Sequence, residues 1–296
     1  MRADRIVVAG SSGLIGQALV RSLATDGIPV SRLVRRPPKH PDEIAWSPGE
    51  RHLDPAVLAR AAAVVSLGGA SIGRLPWTPR YRRELVSSRL APTRTLARAL
   101  GALGTEAPAF VSASAVGFYG DRPGETLAES SGPGDTFLAR LCDEWEKAAA
   151  GSAPRVAFLR TAPLLHPRGV LKPMMLLARA GVSGPLGRGT QVWPWISLED
   201  EVRAIRHVID RGLSGPVNLT GPTLATANNI GRALAARVHR PYLLPAPAWA
   251  LRFGLGRDAA DSLLLADAAV RPAALLDSGF TFTHATATEA IAAAVR

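Results

Sequence analysis

Three evenly spaced glycines, Gly10, Gly13 and Gly16 in GSSGLIG, follow the apolar run RIVVA and open an amphipathic stretch holding Leu14, Ile15, Ala18, Leu19 and Leu23. The chemistry available to such a turn is the holding of phosphate. Glycine is required where the chain reverses, where backbone approaches a pyrophosphate and where helix packs closely on strand. The start of the helix, at Leu14 and Ile15, adds unpaired amides and the positive end of the helix dipole. A strand before and a helix after separate a dinucleotide cradle from an ordinary tight turn. The next apolar run ends LVRRPP, which puts Arg35 and Arg36 at the strand end. An acid there binds the ribose hydroxyls of NAD, whereas arginine accommodates the phosphate of NADP. The nearest acids noted, Asp26 and Asp42, fall outside that strand end. The expected cofactor is NADP(H); the other reading makes both arginines caps of a surface strand.

The elements that would position these residues are legible as alternation. RIVVAG, IPVSRLV, AAVVSLGG, PAFVSAS, RVAFLRT and PVNLTG read as short buried strands bounded by glycine, proline or polar residues. Amphipathic stretches lie between them, one with Val202, Ile205, Val208 and Ile209 at helical spacing. Such alternation predicts a parallel sheet with helices on both faces. TPRYRRELVSSRLAPTRTLARAL reads as one long helix interrupted by Pro92, with a bend expected near Ala91. After about residue 220 the strands fade into alanine-rich helices and loops, which predicts a smaller appended unit without a sheet of its own.

The glycine spacing, together with FVSASAVGFYG, resembles the extended short-chain dehydrogenase/reductases. SLGGASIG, the run from Trp77 through Glu84 to Arg89, DTFLARLCDEWE, VWPWISLED, GPVNLTGP, PYLLPAPAWAL and LLDSGF narrow the resemblance to one branch. That branch is the atypical, epimerase-like one with a small C-terminal domain of unknown function, and the likeness covers essentially the whole chain. It implies an α/β fold: a doubly wound Rossmann parallel sheet with a small, partly interleaved C-terminal substrate-side domain. The implied boundaries are 1–220 for the nucleotide-binding domain, with 166–190 contributing to the substrate side, and 221–296 for the second.

The resemblance also implies a serine, a tyrosine and a lysine four residues after it, the lysine lowering the phenol's pKa and holding the nicotinamide ribose. Here the chain departs from its family. None of Tyr81, Tyr119 and Tyr242 has lysine four places on. Matching on Glu146 puts Leu138 at the tyrosine position and Cys142 at the lysine position, while Ser114 stays at the serine position. Three readings are open: Tyr119 supplies the proton with Ser114 polarising the substrate, Cys142 is reactive, or the site binds NADPH without turnover. The family likeness further places Leu67, Gly68, Glu84, Arg89, Ser112, Pro163 and Leu164 along the cofactor, with a Glu84–Arg89 surface ion pair as the alternative for those two. In GVSGPLGRGTQVWPWIS, it suggests that Arg188, Gln191, Trp193 and Trp195 line a substrate pocket; Trp195 reads equally as core, and Ser197 to Asp200 as a helix N-cap.

Composition bounds the rest. The net charge of +11 comes from 35 basic residues, nearly all arginine, spread along the chain rather than gathered in a stripe with aromatics. This argues against nucleic acid and for anionic small ligands. Cys142 is the only cysteine and the six histidines lack ligand spacing, so neither a disulfide nor a metal site is expected. No apolar run of membrane-spanning length occurs, and the expected setting is cytoplasmic. The function expected is an NADPH-dependent oxidoreductase or epimerase-like enzyme on a small molecule, with a non-catalytic NADPH-binding sensor or interaction protein as the alternative. The sequence is silent on oligomeric state.

Overall fold

The computed structural model describes residues 5–295. Its strands are β1 (Ile6–Ala9), β2 (Val30–Val34), β3 (Glu43–Ala45), β4 (Ala63–Ser66), β5 (Ala109–Ala115), β6 (Thr126–Leu127), β7 (Val156–Thr161), β8 (Gly215–Leu219) and β9 (Ala269–Val270). Seven form one parallel sheet in the order β3-β2-β1-β4-β5-β7-β8. The order reverses at β1, with β4 on its other side, so the ligand crevice of a doubly wound sheet opens at the carboxyl ends of these strands.

The helices are α1 (Leu14–Thr25), α2 (Pro79–Gly101), α3 (Phe137–Ala149), α4 (Leu171–Arg179), α5 (Leu198–Arg211), α6 (Ala227–Arg237), α7 (Ala248–Leu255), α8 (Arg257–Ala260), α9 (Ala273–Asp277) and α10 (Ala287–Ala294). The period-two alternation of a strand sends its apolar residues to both faces of the sheet. Ile6 and Val8 join Leu19, Leu23, Val202, Ile205 and Val208 of α1 and α5 on one side. Val7 and Ala9 join Leu96, Ala99 and Leu100 of α2 and Ala149 of α3 on the other. A separate core collects Leu165, Leu171, Met175, Trp193, Trp195, Ile230, Leu234 and Ile291, drawn from stretches far apart in the chain.

Three features depart from expectation. The sheet gains β3, whose three residues are too short to register as a strand pattern. The C-terminal part also contributes β9, which pairs in parallel with β6 as a two-stranded sheet. The long helix does not break at its proline: α2 runs continuously through Pro92. The hydrogen bond lost there is outweighed by packing. Leu90, Pro92, Thr93 and Leu96 are all buried, and Trp145 of α3 donates its Nε1–H to Thr93 Oγ1 at 2.8 Å.

The glycine turn leaves no room for side chains at two of its positions. Gly10 adopts φ +85°, and a Cβ there would lie 2.8 Å from Gly68 N and from the Leu67 carbonyl carbon. A Cβ on Gly16 would lie 2.3 Å from the Gly10 carbonyl oxygen. Backbone on both sides cannot yield as a flexible side chain can. Gly16→Ala is therefore expected to cost about 1–3 kcal/mol of stability, read as a lowered denaturant midpoint at unchanged slope.

Candidate nucleotide-binding and catalytic site

The cradle is built of backbone. Gly13 precedes α1 in extended conformation, no side chain caps the helix, and its first turn carries no acid. The amides of Leu14, Ile15 and Gly16 have no intrahelical acceptor in such a position, and an anion in front of them meets only donors. Leu67 and Gly68, at the end of β4, press against Gly10 and close the turn from the side. This geometry fits a pyrophosphate.

Beyond the ends of β2 and β3 lies a cavity of about 320 Å³ lined by Arg35, Arg36, Trp46, Ser47, Arg51 and His52 among others. The two expected phosphate-binding arginines differ within it. Arg36 donates to both oxygens of Glu43, at 2.8 and 2.7 Å, and the Lys39 amide adds 2.7 Å. Arg36 first, then that amide, hold Glu43 down at about 2. Arg36 is thus neutralised by an acid at the start of β3 that the sequence reading passed over. Arg35 carries no ion pair among the described residues and, with Arg51, outnumbers Asp54, the one acid in the lining.

At the carboxyl end of β5 the catalytic expectations are revised. Ser114 is buried, and its Oγ donates to Glu146 Oε1 at 2.7 Å. Glu146 accepts two further bonds from Arg160, from Nε and Nη2, both at 2.9 Å. A carboxylate so paired is an acceptor only, so the Ser114 proton is committed to it and cannot polarise a substrate carbonyl. Tyr119 is fully buried; its hydroxyl donates to Asn218 Oδ1 at 2.7 Å and receives Arg160 Nη1 at 2.9 Å. Burial pushes its phenol above the ordinary value, against the pull of Arg160. The geometry makes Tyr119 a packed structural residue, not a proton donor to the crevice. Cys142 is buried and its thiol is pushed up to about 12 by desolvation, which removes the thiolate that reactivity needs. Leu138 is buried against Gly117.

The remaining positions sort by exposure. Pro163 is exposed and Leu164 half-buried at the end of β7, where the loop is stitched to Ile196. Arg89 is half-buried beside the loop after β4. Five expected cofactor or substrate residues, Ser112, Glu84, Trp193, Trp195 and Gln191, are placed otherwise. Ser112 is fully buried between β4 and β7. Glu84 faces solvent on α2 and does not pair with Arg89, which instead binds two carbonyls. Trp193 and Trp195 are core, their indoles donating to Leu264 O and Thr223 O. Gln191 is buried too, its amide donating to Leu186 O and Leu264 O, so it fastens the loop rather than lining a pocket. Of that loop's four residues Arg188 alone is exposed, near Asp267 at 3.3 Å. Ser197 caps α5 as its spacing predicts, accepting the Asp200 amide at 3.0 Å.

A family model described as the NAD dependent epimerase/dehydratase family matches residues 6–220. The chain belongs to that family. A second model, a domain of unknown function called DUF1731, matches residues 246–294. The chain is 40% identical over 291 residues to epimerase family protein Mb2239 of Mycobacterium bovis, covering 97% of this chain and 96% of that one. It is 32% identical over 287 residues to epimerase family protein SDR39U1 of Bos taurus, covering 94% and 95%. Among solved structures, human SDR39U1 (isoform2) with NADPH superposes with a TM-score of 0.87 at 27% identity, over 98% of this chain and 99% of that one. Among the described residues no helix is long and apolar enough to cross a membrane, and no group of His, Cys, Asp or Glu is arranged to hold a metal.

One acid near the crevice has no counterion. Glu201, on the first turn of α5, is fully buried; its Oε1 accepts Thr161 Oγ1–H at 2.9 Å and its Oε2 has no partner. Burial raises it from 4.5 to about 8. Below 4.5 both folded and unfolded chains hold the proton; between 4.5 and 8 the unfolded chain releases it and the folded chain does not. Stability from this group is therefore lost as pH rises through that window, by up to about 5 kcal/mol. Thermal unfolding of Glu201→Gln beside the unsubstituted protein should show a gap moving in the mutant's favour from pH 5 to pH 8.

Proposed function

We propose that this chain binds NADP(H) in the crevice at the carboxyl ends of its strands and acts on a small molecule as an oxidoreductase or epimerase-like enzyme, without a Tyr–Lys proton relay. The observation that carries the reading is the backbone cradle of Gly10, Gly13 and Gly16 beside the basic cavity at Arg35. The NADPH in the human relative's structure supports it. The cofactor supplies hydride chemistry when bound. The chain's part is to seat the pyrophosphate on the amides of Leu14 and Ile15, to meet the 2′-phosphate with Arg35, and to flank the nicotinamide end with Pro163 and Leu164. With Tyr119 and Ser114 both engaged inside the protein, protons exchange with water.

A second reading, NADPH binding without turnover, draws on the same Ser114–Glu146 bond, which leaves the substrate side without its usual hydroxyl donor. Mixing the NADPH-loaded protein with small aldehydes, ketones and nucleotide sugars separates the two. Loss of the reduced-nicotinamide absorbance, or an epimerised sugar formed without net loss, supports the enzyme, and neither change across the panel supports the sensor.

Cofactor choice has its own test. Calorimetric titration should give tighter binding of NADPH than of NADH, and Arg35→Glu should weaken NADPH by at least about tenfold while sparing NADH, as expected for loss of a charge-assisted phosphate contact. Equal affinity of the unsubstituted protein for both nucleotides would exclude the 2′-phosphate site.

A further inference from the structure

Cys142 occupies the position of the family's lysine, and an uncharged thiol there leaves the nicotinamide side of the crevice without the cation that lysine supplies. A cation stands nearby on a different helix. Arg89 on α2 donates Nη2–H to Ala70 O at 3.1 Å and Nη1–H to Leu85 O at 3.0 Å. Its Cζ lies 5.3 Å from the centre of the Trp145 ring, three residues beyond Cys142 on α3. A Cβ built on Gly69 would lie 3.1 Å from the same carbon, so the guanidinium sits directly against the loop that leaves β4 at the crevice end. Arg89 and Cys142 lie within electrostatic reach of each other, and the thiol in turn borders Ser114. No carboxylate is among the groups that shift Arg89, and burial works against its charge.

A guanidinium has five N–H donors. Two are used in the described contacts, which leaves Nε–H and one hydrogen on each terminal nitrogen. A half-buried cation with spare donors and no acid partner is suited to an oxygen-rich ligand.

We propose that Arg89 takes over the part of the missing lysine, holding the nicotinamide ribose of bound NADP(H) from α2 instead of α3. The inference rests on the NADP(H) reading above and narrows it to one side chain and one half of the nucleotide.

The test uses two ligands: NADPH, and adenosine 2′,5′-bisphosphate, which carries the adenosine half and its 2′-phosphate but no nicotinamide ribose. Calorimetric titration of Arg89→Met should show NADPH weakened about tenfold and the bisphosphate changed by less than about twofold. Arg89→Lys, which keeps the charge, should recover part of the loss. Equal weakening of both ligands, or no weakening, overturns the proposal and leaves Arg89 as a support of the 67–73 loop. A measurement on the unsubstituted protein needs no variant to fold: the Arg89 Nε–H nuclear magnetic resonance should move with NADPH and stay in place with the bisphosphate. The same movement with both ligands, or none with either, overturns it equally. Failure of the unsubstituted protein to bind either ligand instead overturns the NADP(H) reading itself.

Discussion

A buried ion pair organises the centre of this protein. Glu146 and Arg160 are both removed from water, and such a pair is tolerated only when the remaining lone pairs and N–H groups also find partners. Satisfying them reaches across the fold. Glu146 takes the Ser114 hydroxyl, while Arg160 gives Nη1–H to Tyr119 and to the Glu129 carbonyl. Tyr119 donates its O–H to Asn218 Oδ1, and Asn218 donates Nδ2–H to Arg271 O. One electrostatic requirement therefore fixes the end of β5, the turn after it, β8 and the chain just after β9.

The family's Tyr–Lys relay is already broken by Leu138 and Cys142 at its two positions, and the network occupies the hydroxyls that remain nearby. Ser114 and the nearby Tyr119 survive as residue types, yet each is buried with its hydroxyl donated to an internal partner. The phosphate half of the crevice depends on backbone and is untouched by such competition. Nucleotide binding and proton transfer are thus separable here, and the first persists where the second has lost its side chains.

The same division decides what was legible in the sequence. Backbone requirements leave marks that survive without coordinates: the glycine spacing gave the cradle, apolar alternation gave the six longer strands of the main sheet, and Ser197 gave a helix cap. Side-chain roles in the site depended on partners distant in sequence. Nothing near Arg36 announced that Glu43 would neutralise it, because the acid sits on a three-residue strand that forms no pattern. Ser114 and Glu146 are 32 residues apart, and Tyr119 and Asn218 are 99 apart. Trp193 and Gln191 looked like pocket residues because a pocket wall and a fastened loop draw on the same residue types. The alternative pairing of Arg89 with Glu84 does not form; Arg89 donates to the Ala70 and Leu85 carbonyls instead.

The partners of Asn218 bear on how molecules of this protein meet one another. β8 is an outer strand of the main sheet, and such a strand invites edge-to-edge pairing through its outward N–H groups. Here the invitation is withdrawn at consecutive outward positions. Pro216 has no N–H to offer, and the Asn218 N–H is taken by Glu129 Oε1 at 3.1 Å. The same carboxylate oxygen accepts the Ala274 amide, pinning α9 alongside the strand. At the opposite edge β3 is only three residues long. A sheet blunted at both margins resists growth into fibres, and the carboxylate that steadies the C-terminal segment is also what keeps neighbouring molecules from adding a strand.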